Sequence, residues 1–125
     1  MAKRVIIVRL DHLADDFGEL AASLIAAINS WTVKDPATQQ EVAAASAEAM
    51  SRQEAWPERE RADCVIFMSG TQVKVANSFK QNCPGLKVMI IATGQVAGCD
   101  HRIIVVHYKP GADMDAELRS KILAK

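Results

Sequence analysis

Residues that could take part in catalysis follow the apolar runs of this sequence, close to where each run ends. Asp11 and His12 follow the first run, Ser69 follows the second, and His107 lies at the end of the last. A serine nucleophile, a histidine base and an orienting carboxylate are the groups that acyl transfer requires. These four residues are therefore candidates for a small hydrolase or transferase, although residues 68–71 (MSGT) do not form a G-x-S-x-G nucleophile elbow.

The ends of the same runs also carry residue types suited to binding an anion. A helix opened by Thr71 would point free backbone N–H groups outward, and Lys109 would add positive charge. Turn geometry and helix capping explain the same hydroxyl and glycine residues equally well. The ligand of such a site would be a nucleotide or another phosphorylated metabolite. Its predicted contacts are Ser69, Gly70, Thr71, Thr93, Gly94 and Lys109.

Metal and thiol chemistry are not favoured by the spacing of the histidines and cysteines. Residues 99–101 (CDH), together with His12 and His107, form neither a C-x-x-C nor an H-x-x-x-H pair. We therefore predict no metal and no cofactor. Cys64 lies inside an apolar run and should be a buried, unreactive thiol. Three cysteines without a recognisable signal peptide indicate a reduced, cytoplasmic protein.

Composition indicates one ordinary globular domain covering residues 1–125. Half of the residues are hydrophobic, and 15 basic residues balance 15 acidic ones. Binding to duplex nucleic acid relies on excess positive charge, so it is not expected. Zero net charge weakens self-repulsion and favours a homodimer or another protein partner. The apolar runs fall short of the ~20 residues of a membrane span, so no membrane contact is predicted.

Four near-continuous apolar runs define the predicted sheet, because strands buried on both faces read in this way. They alternate with segments of helical period, which predicts a mostly parallel sheet of four or five strands in a three-layer αβα sandwich of flavodoxin-like type. The second run should be the central strand. The predicted strands that contain these runs occupy residues 5–10, 63–70, 86–92 and 102–108, and the apolar run of the second is residues 64–68.

Three helices are predicted from apolar spacing and capping residues. The first spans residues 13–28 with Asp11 as its cap, and the second spans residues 71–82. The last follows residues 109–111 and is capped by Asp113. Its core-facing residues are Met114, Leu118 and Ile122.

The remaining segments are read from weaker patterns. Residues 30–34 alternate as in a short edge strand, and residues 35–53 are rich in helix-forming residues after an Asp-Pro start. Trp56 and Pro57 are expected to break that helix. Residues 95–101 are shorter than a usual parallel crossover. Either this connection is unusually tight or the last strand runs antiparallel.

Four segments together (KRVIIVRLD, ADCVIFMSG, KVMIIATG and VVHYKP) resemble the receiver domain of bacterial response regulators. Thr93 matches the hydroxyl residue at the end of the receiver's fourth strand. Lys109, followed by proline, matches the lysine at the end of the fifth. The resemblance implies a receiver-like sandwich that works by contact with other proteins.

The same comparison implies that the receiver's chemistry is missing. Met68 stands where the resemblance places the phosphoacceptor aspartate, and Arg9 and Leu10 stand where it places the acidic pair that binds Mg²⁺. Without these carboxylates a hard cation has no site. The resemblance therefore predicts a non-catalytic regulatory or interaction domain that cannot be phosphorylated.

Overall fold

The computed structural model describes residues 3–8, 16–68, 72–92, 95–108 and 112–123. A short 3₁₀ turn, Arg59–Arg61, follows the second helix. In chain order, the strands and helices are β1 (Lys3–Val8), α1 (Asp16–Ser30), β2 (Thr32–Lys34), β3 (Glu41–Ala43), β4 (Ala45–Met50), α2 (Arg52–Glu58), β5 (Cys64–Phe67), α3 (Val73–Asn82), β6 (Lys87–Ala92), β7 (Ile104–His107) and α4 (Ala112–Leu123).

Five strands form one parallel sheet in the order β4-β1-β5-β6-β7. Numbered by their own sequence order, these strands lie 2-1-3-4-5, which is the flavodoxin-like arrangement. The predicted central strand is confirmed, because β5 occupies the middle of the sheet. Its side chains are buried along its whole length.

Both faces of the sheet are covered, which confirms the predicted three-layer sandwich. Ile7 and Ile66 point to a core closed by Leu24 and Ile28 of α1 and by α4. The predicted core residues of α4 are all buried on that side, namely Met114, Leu118 and Ile122. The opposite face packs against α2 and α3, where the buried residues are Ala55, Val73, Ala76 and Phe79.

The crossover connections share one hand. The chain passes from β1 to β4 over the face of α1, and from β4 to β5 and then β6 in the opposite direction over the face of α2 and α3. Opposite directions on opposite faces give crossovers of the same hand, as parallel sheets require. The last connection obeys the same rule without a helix. Residues 95–103 cross the α2/α3 side, and β7 pairs parallel with β6. Of the two predicted alternatives, the tight connection is therefore the one observed.

The predicted helix over residues 35–53 is wrong. That segment instead contains β3 and β4, and β4 pairs with β1 from Lys3↔Ala45 to Val8↔Met50. Alanine favours a helix, but pairing with β1 and burial of Ala45 under α1 outweigh that propensity. Small side chains also let α1 approach the strand closely. Tertiary contacts thus determine the secondary structure of this segment.

The expected helix break at Trp56 and Pro57 is also wrong. Both residues lie inside α2, and Ser51 and Glu54 form a capping box at its start. The helix ends two residues after Trp56, so Pro57 interrupts little. The predicted cap Asp113 is also misplaced, because α4 begins one residue earlier, at Ala112. The other predicted caps, Asp11 and Thr71, lie outside the described residues.

Residues 30–34 do contain a strand, but it does not join the main sheet. β2 pairs with β3 as an antiparallel hairpin, with Val33 opposite Val42. Asp35 closes the loop by accepting a hydrogen bond from Ala37 N–H at 2.9 Å. Gln39 adopts a left-handed conformation with φ of 61°. The hairpin directly precedes β4, which is an edge strand of the main sheet.

Candidate functional site

The carboxyl ends of the parallel strands meet at one edge of the sheet. Val8 of β1 lies beside Phe67 of β5, and Ala92 of β6 lies beside His107 of β7. Tyr108 N–H donates to the Ala92 carbonyl at 2.8 Å and extends the pairing by one residue. Strand order reverses between β1 and β5, and ligands bind at such a reversal in open α/β sheets.

Most of the predicted site residues follow these strand ends but lie outside the described residues. This holds for both predicted sites, the catalytic one and the anion-binding one. The residues concerned are Asp11, His12, Ser69, Gly70, Thr71, Thr93, Gly94 and Lys109. His107 is the described member of the set, and its side chain is exposed.

The position of His107 bears on the hydrolase hypothesis. β7 is separated from β1 by β5 and β6, so three interstrand spacings of about 4.8 Å place it about 14 Å from β1. A general base must come within hydrogen-bond reach of its proton. This spacing does not support direct contact between His107 and groups that leave the end of β1.

Met68 directly follows β5 and is only 2% exposed. Its side chain packs in the core between the sheet and helices α1 and α4, with Ile66 and Ile91 as members of the same cluster. The β5 end therefore holds an apolar, buried side chain where the receiver resemblance places the phosphoacceptor. This position has neither a carboxylate nor access to water.

A polar cluster fixes the connection between β6 and β7. Asn77 of α3 donates to the Gly98 carbonyl at 2.9 Å and accepts from Asp100 N–H at 2.8 Å. Gly98 has a φ of +75°, a conformation that favours glycine. The connector also packs Val96 and Cys99 against the α2/α3 side of the core. These contacts explain how residues 95–103 keep a fixed path without forming a helix.

Asp100 is bound to Arg102 through three hydrogen bonds. The carboxylate accepts from the backbone N–H at 2.9 Å, from Nε at 3.1 Å and from Nη2 at 2.9 Å. These hydrogen bonds hold the pKa of Asp100 well below its usual range. His101 Nδ1 lies 3.8 Å from the same carboxylate. The contacts with Arg102 hold the Asp100 carboxylate in place within the connection between β6 and β7.

The thiols behave as their burial dictates. Cys64 is buried beside Met89, with 3.7 Å between the two sulfur atoms, and burial raises the pKa of its thiol to about 12. Burial also raises the pKa of Cys99. The prediction of a buried, unreactive Cys64 agrees with this environment. Among the described residues, His, Cys, Asp and Glu side chains do not gather in threes as a metal site would need.

An apolar groove between α2 and α3 is a feature that the sequence prediction missed. It has a volume of about 420 Å³, and its lining residues are Arg52, Gln53, Trp56, Val75, Ser78 and Phe79. The prediction treated Trp56 as a helix breaker. The pattern S-x-x-E at residues 51–54 marks a helix start and could have placed Trp56 on a helix facing α3.

Comparison of the chain with protein-family models, curated proteins and solved structures finds no match. In the described ranges, no helix combines the length and the apolar character needed to cross a bilayer.

Proposed function

We propose that this chain is a non-catalytic regulatory domain that acts through protein contacts and cannot be phosphorylated. The observation that carries the proposal is Met68, the buried apolar residue at the end of the central strand. Phosphoryl transfer to a receiver needs a solvent-accessible carboxylate as nucleophile and a hard cation beside it. A methionine packed in the core supplies neither.

The strand order supports a receiver-like domain as the context for this residue. The arrangement 2-1-3-4-5 is shared by many α/β proteins, so it restricts the fold rather than the activity. Residues 95–103, the described part of the connection between β6 and β7, contain no helix, which departs from the regular βα repeat. A domain with this departure and an apolar residue at the acceptor position is suited to binding rather than to phosphotransfer.

Incubation with acetyl phosphate and Mg²⁺ tests the proposal directly. Intact-mass spectrometry should detect no added phosphoryl group, and the melting temperature should not change. A receiver domain that retains its aspartate, treated in parallel, serves as the positive control. Phosphoryl incorporation into this chain would refute the proposal, because the proposal requires that the domain cannot be phosphorylated.

A second candidate function is the binding of a nucleotide or another phosphorylated metabolite at the carboxyl edge. The reversal of strand order between β1 and β5 is the observation that favours it. Thermal stabilisation by such a ligand should be lost in Ser69→Ala and Lys109→Ala. A flat response across nucleotides and sugar phosphates would count against this function.

A further inference from the structure

Trp56 forms one wall of the groove between α2 and α3, and its contacts hold it in a fixed orientation. The guanidinium carbon of Arg59 lies 4.0 Å from the centre of the indole ring. Phe79 meets the ring edge-on, with 5.0 Å between the ring centres. The indole nevertheless stays 37% exposed, whereas Phe79 beneath it is buried. A fixed and partly exposed tryptophan over an aromatic floor is typical of a binding hot spot.

The charged side chains at this groove are cationic. Arg52 lines it directly, and Arg59 covers one face of Trp56. On α2 the acidic residues are occupied elsewhere. Glu54 accepts from Ser51 N–H at 3.2 Å, and Glu58 accepts from Arg4 at 3.2 Å.

The α3 side of the groove adds no negative charge. α3 (VKVANSFKQN) contains no acidic residue, and of its two lysines Lys80 is buried. Lys74 is exposed and lies one turn before Ser78, whose hydroxyl donates to the Lys74 carbonyl at 3.1 Å. Val75 and Ser78 line the groove on this side. The apolar floor therefore has a cation, Arg52, on its α2 side and no acidic residue on its α3 side.

We infer that this groove binds a peptide segment of a partner protein that presents an aromatic or aliphatic side chain beside carboxylates. The apolar side chain would pack against Trp56, Val75 and Phe79, and Arg52 would pair with the carboxylate. The groove is open to solvent, and small ligands prefer sites that enclose most of their surface. An open channel between two helices suits a peptide instead. The inference rests on the proposed function and names the chemistry of its partner.

The probes are two synthetic peptides of equal length that both carry one phenylalanine and one leucine, spaced by one helical turn. One has glutamates at the flanking positions, and the other has lysines at the same positions. Each is added to the ¹⁵N-labelled full chain, and binding is followed by NMR. The glutamate peptide should shift the indole N–H signal of Trp56 and the backbone amides of Val75 and Ser78. The lysine peptide should bind at least about 10-fold more weakly.

Three variants locate the binding. Ser78→Trp fills the groove from an exposed position and should abolish binding while the fold is retained. Trp56→Ala should weaken binding about 10-fold or more. Arg52→Gln should weaken it about 3- to 10-fold, whereas Arg61→Gln, which removes an exposed arginine outside the groove, should leave it unchanged. Binding should also weaken as NaCl rises from about 50 mM to about 500 mM.

Several outcomes would overturn the inference. These are equal binding of both peptides, shifts confined to other residues, binding that survives Ser78→Trp, and no binding at all. Concentration-dependent shifts of the Trp56 signal without peptide would assign the groove to a second copy of the chain and would also overturn it. The phosphorylation assay is independent of this experiment. Failure of peptide binding with no phosphorylation would therefore refute this inference and leave the proposed function in place.

Discussion

Asn29 of α1 satisfies the outward-facing backbone of the edge strand β4. Ala47 N–H donates to Asn29 Oδ1 at 2.8 Å, and Asn29 Nδ2 donates to the Ala47 carbonyl at 3.4 Å. The Ala44 carbonyl accepts from Lys3 N–H, so the neighbouring even-numbered residues direct their backbone groups toward β1. Ala47 points the other way, toward the open edge. The asparagine amide thus takes the place of a further strand at this point.

Replacing Asn29 with valine should destabilise the domain by about 1–2 kcal/mol. Each hydrogen bond contributes about 0.5–1.5 kcal/mol net, and the longer of the two belongs at the low end of that range. Valine and asparagine have similar helix propensities, so the change acts through the lost amide. The melting temperature should fall by about 3–8 °C for a domain of this size. The exposed edge should also promote association between copies.

Urea unfolding followed by circular dichroism measures the free energy, and sedimentation velocity measures association. Amide hydrogen exchange gives the sharper test. Protection at Ala47 should be lost in Asn29→Val, whereas Glu48, which faces β1, should keep its protection. Ser30→Ala is the matched control, because the Ser30 hydroxyl donates within α1 and does not contact β4. A loss below about 0.5 kcal/mol, the range of ordinary surface substitutions, would refute the reasoning, as would retained protection at Ala47.

Three further predictions concern buried or bonded polar groups. Lys80→Met should cost about 2–4 kcal/mol in urea unfolding, because the buried ammonium donates to two backbone carbonyls after α3, whereas the exposed control Lys74→Met should change little. In the native protein at about pH 8, two of the three thiols should react with a thiol reagent and Cys64 only after unfolding, and three fast thiols would contradict its burial. Arg102 holds the pKa of Asp100 below its unfolded value of about 3.9, so the stability that this pair adds is present above about pH 4 and is lost as the pH falls through the folded pKa. Melting curves from about pH 6 to about pH 2 should therefore slope less in Asp100→Asn, and identical slopes would exclude this role.

The sheet could be predicted because its signal is local. The runs that became β1, β5, β6 and β7 are nearly all apolar, and such runs mark strands buried on both faces. The amphipathic spacing of α4 likewise identified Met114, Leu118 and Ile122 as core residues. In these elements, sequence pattern and tertiary environment agree.

β4 could not be predicted in the same way because its identity depends on β1. The strand (ASAEAM) is rich in alanine, which favours a helix. Its polar residues are Ser46 and Glu48, two positions apart. Only its pairing with β1 and its cover by α1 settle the choice, and both contacts come from distant parts of the chain. The α2 error differs in kind. There the capping box of Ser51 and Glu54 was visible in the sequence, but the proline after Trp56 was given more weight.

Arg4 makes charged contacts that join several elements at the amino edge of the sheet. Arg4 of β1 binds Glu48 of β4 at 2.8 Å and Glu58 of α2 at 3.2 Å. Its backbone N–H donates to the Asp63 carboxylate at 2.8 Å, just before β5. One side chain and its backbone thereby connect three elements that pack on β1. Such contacts fix how the elements sit against each other, so changes at Arg4 should alter stability.

The residues that Arg4 contacts do not line the groove. Substitutions at Ser78 on the groove can therefore change binding without loosening the connections that Arg4 makes. In the same way, the cost of an aspartate at Met68 would come from placing a carboxylate in an apolar core. An aspartate at this position would thus require repacking of the core between the sheet and α1. This coupling supports the proposal that the domain acts by binding rather than by phosphotransfer.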